Sequence, residues 1–170
     1  MAISEMLVPE FDQEMAMTRR ALERVEDEAM HWKPQERSMS LAELTGHLAE
    51  VPSWVPKIME SPEIDLMPKD GPQYEPFVPK TYLDVLKQFD KNVEAARAAL
   101  LAASDEAYLA QWTLKAAGKE VFSLPRVAVL RTMVLNHQIH HRGQLTVYYR
   151  LLGIPVPALY GPSADEGGLE

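Results

Sequence analysis

The chain has 170 residues, of which 46% are apolar and 25% charged, with a formal net charge of −8. That length and composition fit one soluble domain with a real core, while the acid excess and the lack of a basic stripe argue against nucleic acid, whose phosphates need clustered Lys and Arg. Cysteine is absent, which excludes disulfides, thiolate ligands and a cysteine nucleophile and leaves imidazole and carboxylate as metal donors.

The opening stretch MAISEMLVPEFDQEM lacks the basic start and apolar centre of a signal peptide. No apolar run approaches the ~18 residues of a membrane span, so a cytoplasmic protein away from membranes is expected. A first helix is predicted from Glu5 to Val25, because Leu7, Phe11, Met15, Thr18, Leu22 and Val25 recur at three- and four-residue steps. His31-Trp32-Lys33-Pro34 breaks it, and His31 and Trp32 read as packing residues at its end. A second helix starts at Ser40, with Glu43 as reciprocal capping-box partner and Leu44, Leu48, Val51, Val55 and Ile58 as its apolar face. Glu43, Glu50 and Lys57 read as its solvated side, and Pro52 and Pro56 predict a kink about one turn after His47.

The proline-rich stretch from Ser61 to Pro79 reads as a long crossover link between the second and third helices. The third helix begins near Thr81, with Asp84 in its first turn, and buries Val85, Leu86, Phe89, Val93, Ala96 and Leu100. Ser104 to Leu109 adds a short helix, and the sequence around Gly118 is either a small hairpin or an irregular excursion. The fourth long helix opens at Ser123 or Leu124, with Pro125 in its first turn, and Gly153 stops it. A wheel at about 100° per residue puts Leu130, Val134, Leu145, Tyr148 and Leu152 on its inward face, and Arg131, Gln138, Arg142 and Tyr149 on the far side.

His137 and His141 fall in the middle of that inward stripe. Four residues apart on a helix, their side chains are neighbours, with Cβ atoms about 5–6 Å apart, close enough to grip one metal ion. His47 lies at the edge of the second helix's apolar face and completes a trio. Three imidazoles with one open position form the donor set of catalytic zinc-type sites. A lone inward histidine is most often a hydrogen-bonded core residue; three that converge have a common reason, since each unsatisfied buried polar group costs roughly 1–3 kcal/mol. His140 sits off the centre line and is the poorer ligand. Asn136 and Gln144 flank the histidines as candidates to hold an imidazole tautomer or a bound water, and Trp54 and Tyr148 are candidate pocket residues. One divalent ion per chain is expected (zinc, nickel or iron, with copper equally suited to imidazole), released on acidification toward the free imidazole pKa of ~6.5.

The segment Ser38-Met39-Ser40-Leu41-Ala42-Glu43-Leu44-Thr45-Gly46-His47-Leu48 and the run Asn136-His137-Gln138-Ile139-His140-His141-Arg142-Gly143-Gln144-Leu145 resemble the DinB-type (DinB-like or YfiT-like) damage-inducible superfamily. So do Leu151-Leu152-Gly153-Ile154-Pro155-Val156-Pro157 and Tyr160-Gly161-Pro162-Ser163-Ala164-Asp165-Glu166. The resemblance implies an all-α fold, a four-helix bundle of up-up-down-down course, as a single domain over residues 1–160 with a tail over 161–170. It implies a divalent metal on His47, His137 and His141, with water in the remaining positions. It also implies a homodimer, for which Val129, Ile139 and Val147, off the core stripe, offer a second apolar face.

Some members of such a family are transferases or isomerases that use a small thiol. Two functions follow as expectations. One is a metal-dependent enzyme activating a small thiol, or water, for transfer to a small-molecule electrophile, its general base unidentified. The other is a non-catalytic metal-binding or small-ligand-binding bundle with structural histidines.

Overall fold

The computed structural model describes residues 1–71 and 73–168. Its first helix, α1, spans Ile3–Leu22 and buries Leu7, Phe11, Met15, Thr18 and Leu22, the stripe expected from their spacing. The second, α2 (Leu41–Glu50), starts as a capping box: Glu43 N–H donates to Ser40 Oγ at 3.1 Å, and Ser40 N–H to Glu43 Oε2 at 2.6 Å. Pro52 falls in a 3-10 turn (Val51–Ser53), beyond which α3 (Trp54–Glu60) continues. Proline has no N–H to return to the carbonyl four residues back, here that of Leu48. The Gln138 side-chain amide supplies the missing donor at 3.1 Å, and Asn92 Nδ2 donates to the neighbouring Ala49 carbonyl at 2.8 Å.

The all-α expectation is corrected by a small sheet. Strand β1 (Glu63–Asp65) lies within the proline-rich link, of which Pro72 falls outside the described residues. It pairs in parallel with β2 (Gln111–Ala116), which pairs antiparallel with β3 (Lys119–Pro125). The turn between β2 and β3 is Ala117-Gly118, with φ of 51° and 78°, the left-handed pair that a tight two-residue hairpin requires. Gly118 N–H donates to Asp65 Oδ2 at 2.7 Å, so the hairpin tip and the link hold each other. Three residues are too few to show the alternation by which a strand is recognised.

Between β1 and β2 the chain forms α4 (Tyr82–Ala102), which starts after Thr81 with Asp84 in its first turn as expected, the two residues closing a capping box, and the short α5 (Asp105–Leu109). The protein is thus mostly helical, with α1 and α2 each packed against α4 and against the last helix. Among the described residues, no helix is long and apolar enough to cross a membrane.

The last helix departs most from expectation. It starts not at Ser123 or Leu124, which pair in the sheet with Thr113 and Trp112, but after Pro125. Arg126 opens α6 (Arg126–Val129), and its guanidinium donates to the carbonyls of Ile58, Ser61 and Ala107 at 2.7, 3.2 and 3.2 Å. A π-helical segment, Leu130–Asn136, follows, and then α7 (His137–Leu152), closed by Gly153 at φ 74°. A π turn holds an extra residue, so every position after it is rotated by about 100° against a uniform wheel.

The core face therefore changes identity along this helix. Leu130 and Val134 are buried before the rotation; after it the buried positions are Gln138, Arg142, Leu145 and Tyr149. Three of those were expected on the far side. His137, His141 and Tyr148 become half-buried shoulders of the core rather than its centre.

Arg142 is 1% exposed. Its Nη2 donates to Glu14 Oε2 at 2.6 Å, and its Nη1 to the Glu14 carbonyl at 2.8 Å and to Thr18 Oγ1 at 3.1 Å. The Tyr160 hydroxyl bonds both partners, donating to Glu14 Oε2 at 2.6 Å. The segment after Tyr160 is drawn onto α1 and α7 by Glu166 with Arg20 and Arg24 and by Asp165 with Arg150; residues 169 and 170 of the expected tail lie outside the described residues.

Removing one member of a buried, hydrogen-bonded ion pair strands the other charge. Arg142→Met is expected to lower the unfolding free energy by about 3–5 kcal/mol in urea titrations. The double replacement Arg142→Met/Glu14→Leu is expected to lose less than the single one; a larger loss would show that the charges do not compensate each other.

Candidate metal centre

The Leu48–Gln138 hydrogen bond fixes where the histidines meet. Leu48 follows His47 in the last turns of α2, and Gln138 follows His137 in the first turn of α7. One 3.1 Å contact therefore sets the distance between the two ligand-bearing backbones. His47 Nε2 and His137 Nε2 lie 2.7 Å apart. His141, one turn on from His137, brings its ring centroid to 4.5 Å from each of the other two. One nitrogen of each ring lies within 4.8 Å of those of the other two, a group able to hold a metal ion.

Protonation suits that use. Burial lowers the pKa of His47 to about 4, with the neighbouring His141 adding to the effect. Burial likewise lowers His137 to about 4, followed by the influence of His141, His47 and His140. His141 is lowered by burial, against the opposing bond to Gln144. Neutral imidazole is the ligating form. His141 Nδ1 lies 2.7 Å from Gln144 Oε1, which can only accept, so the proton sits on Nδ1 and the Nε2 lone pair is free. The other end of the same amide lies 3.2 Å from His140 Nε2. The three residues thus fit a divalent cation: neutral nitrogen donors, converging, one of them with its tautomer fixed.

The remaining sequence candidates separate. Trp54 lines a cavity of about 360 Å³ that His47 and His137 also border. Tyr148 does not line it; its hydroxyl donates to the Met39 carbonyl at 3.0 Å, and its ring meets Trp32 edge-on at 5.4 Å. Asn136 is exposed. Glu50, expected on a solvated face, instead accepts from Tyr74 OH and from Phe77 N–H, both at 2.9 Å, and so pins the link beside the histidines. Tyr74 carried no helical or strand period in the sequence, and no local signal could have found it. Gly46 makes the same approach possible from the other side: a Cβ there would lie 2.2 Å from the Phe77 carbonyl oxygen.

With the fold and the three-histidine cluster in place, comparison with known proteins gives a consistent answer. The sequence profile of the DinB family matches residues 3–168, and the chain belongs to that family. Its fold is similar to that of a DinB-like protein from Bacillus cereus ATCC 10987, with a TM-score of 0.69 and 23% identity, covering 94% of this chain and 98% of that one. It is also similar to the DinB-like protein YjoA of Bacillus subtilis, with a TM-score of 0.65 and 21% identity over 89% and 96% of the two chains. A curated relative, the uncharacterized protein YrdA of Bacillus subtilis (strain 168), is 49% identical over 37 residues, which span 22% of each chain.

Because burial holds His47 and His137 near 4, protons compete for their nitrogens only below the ordinary imidazole range of ~6.5. The sign is that of a lowered pKa: the ligating form persists as pH falls and is lost on approach to the lowered value. Zinc-loaded protein is therefore expected to keep its ion at pH ~6 and to release it toward pH ~4, as read by dialysis and elemental analysis. Complete release by pH ~6 would contradict the burial argument.

Proposed function

We propose that this protein binds one divalent metal ion per chain through His47, His137 and His141 and uses it, in the cytoplasm, to activate a small thiol or water against a small-molecule electrophile. The observation that carries this reading is the joining of the cluster to a cavity: His47 and His137 both face the 360 Å³ space beside Trp54. A divalent cation held there lowers the pKa of a thiol or water placed beside it, giving the anionic nucleophile at neutral pH.

The chain's own residues do the rest. Gln144 holds His141 in the tautomer that leaves Nε2 free. Glu50 anchors Tyr74 and Phe77, so the link supplies Tyr74 as one wall of the cavity. In the thiol case the thiol proton passes to solvent, sulfur bonds the electrophilic carbon, and the leaving group departs with the bonding pair. The absence of cysteine fits a thiol brought by a cosubstrate.

The test is metal analysis of untagged protein beside its variants. The native chain is expected to hold one equivalent of zinc, nickel or iron. His137→Ala and His141→Ala should each weaken binding by more than about 100-fold, and Gln144→Ala by about 10–100-fold. His140→Ala should leave affinity within a few-fold. Metal-dependent consumption of a chromogenic electrophile in the presence of a small thiol, lost in His141→Ala, supports the catalytic half; equal rates in both proteins would leave a metal-binding protein without that activity.

The reading includes an up-up-down-down four-helix bundle, supported by the packing of α1 and α2 on both α4 and α7, as one domain over 1–160 with its tail. It also includes a homodimer. Of the three apolar residues that suggested a second face, Val129 is buried within the chain and Ile139 half-buried, while Val147 is 57% exposed. Light scattering is expected to give twice the chain mass, and Val147→Glu to lower it; one chain mass across a wide concentration range would retire the dimer.

A further inference from the structure

The cavity beside the histidines has a chemistry of its own. Its wall is built from Val51, Trp54, Leu66, Met67 and Met133, with Tyr74 closing one side. Beyond the histidines, the polar groups in that lining among the described residues are the Trp54 indole N–H, the Gln73 amide and the Tyr74 hydroxyl, and the hydroxyl is already bonded to Glu50. Among the described residues neither lysine nor arginine lines it. On the far side of Tyr74 a second apolar hollow of about 340 Å³, bordered by Met39, Pro76 and Phe77, also reaches His47, and its one charged lining residue is Glu43. Of the carboxylates near the two hollows, Glu50 accepts from Tyr74 and Phe77 and Glu43 stands 3.8 Å from Lys33, in a chain of net charge −8. The cation of the neighbouring cleft, Lys57, lies over the Trp54 ring at 5.2 Å, and that cleft also carries Asp65.

In the metal-free protein an anion entering here would leave water with no lysine or arginine in the described lining to receive it, which is unfavourable. An uncharged apolar group loses nothing polar and gains burial. Trp54 and Tyr74, with ring centroids 6.4 Å apart and tilted by 54°, present aromatic surface, and the thioethers of Met67 and Met133 favour contact with a ring. A volume of 360 Å³ falls within the range of about 300–1,000 Å³ typical of small-molecule sites. We infer that this cavity binds an uncharged small molecule bearing an aromatic ring, its ring between Trp54 and Met133 and its reacting end at His47 and His137. As the electrophile of the reaction this assignment rests on the metal-dependent reading above; as a binding site it stands on the lining alone.

The experiment is calorimetric titration with two probes of equal size, 2-naphthalenemethanol and the anion 2-naphthoate, on protein stripped of metal by a chelator and after zinc loading, beside an independent zinc titration. In metal-free protein the alcohol is expected to bind at least tenfold more tightly than the carboxylate. Trp54→Ala is expected to weaken the alcohol at least tenfold with zinc affinity unchanged. Met67→Lys, at a position 55% exposed and so tolerant of charge, is expected to improve 2-naphthoate binding at least fivefold, and it answers the question even if Trp54→Ala does not fold. Equal or tighter binding of 2-naphthoate by the native protein, or no response to Met67→Lys, overturns the inference. Stoichiometric zinc without lining-dependent probe binding would leave the metal reading intact and remove this one. Probe binding without zinc would do the reverse.

Discussion

A proline that cannot donate a hydrogen bond determines where the site lies. Pro52 leaves the Leu48 carbonyl of α2 without its helical partner, and a buried carbonyl needs a donor. Gln138 provides it from α7. Since Leu48 and Gln138 each follow a histidine, satisfying the backbone and assembling the imidazole cluster are one event. Beyond the break, Trp54 stands at the cavity wall while Val55 and Ile58 stay in the core.

The last helix serves two ends that a uniform helix would place in conflict. Its early turns bury Leu130 and Val134, whereas α7 buries Gln138, Arg142 and Tyr149, which reach α2 and α1 through hydrogen bonds. The π segment between them supplies the rotation. Its effect on the histidines is specific: on an unbroken helix His137 and His141 would point into the centre of the core, closed off from any ligand. Rotated to the shoulder, they remain buried enough to stay neutral and open enough to border a cavity. A π turn is a poorer helix than an α turn, and such turns gather at functional sites; here the local cost is offset by where it puts two side chains.

Local features were legible in the sequence, and features made by contact between distant segments were not. The capping box at Ser40, the start of α4 near Thr81, the apolar steps of α1 and α4 and the stop at Gly153 all depend on neighbours within a few residues, and all were readable. The convergence of His47 with His137 and His141 was readable because an i, i+4 pair and a third histidine all fell on or beside inward apolar faces, where imidazoles need partners. The one-residue slip at Leu130–Asn136 has no residue signature, so the wheel carried its error into Gln138, Arg142 and Tyr149. Strand β1 exists only because β2 offers it an edge. The Glu50–Tyr74 bond joins residues 24 apart across a link without periodicity.

The buried charge of Arg142 also bears on how the chain is made. Its partners are Glu14 and Thr18 near the start of the sequence and Tyr160 close to its end. During synthesis α1 emerges early, yet Glu14 has no cation to meet until more than a hundred further residues have been translated. The last contact, from Tyr160, forms only once the segment beyond α7 has left the ribosome. Until then the nascent chain holds an unmatched carboxylate where its core will be, which favours late, concerted closure over helix-by-helix assembly.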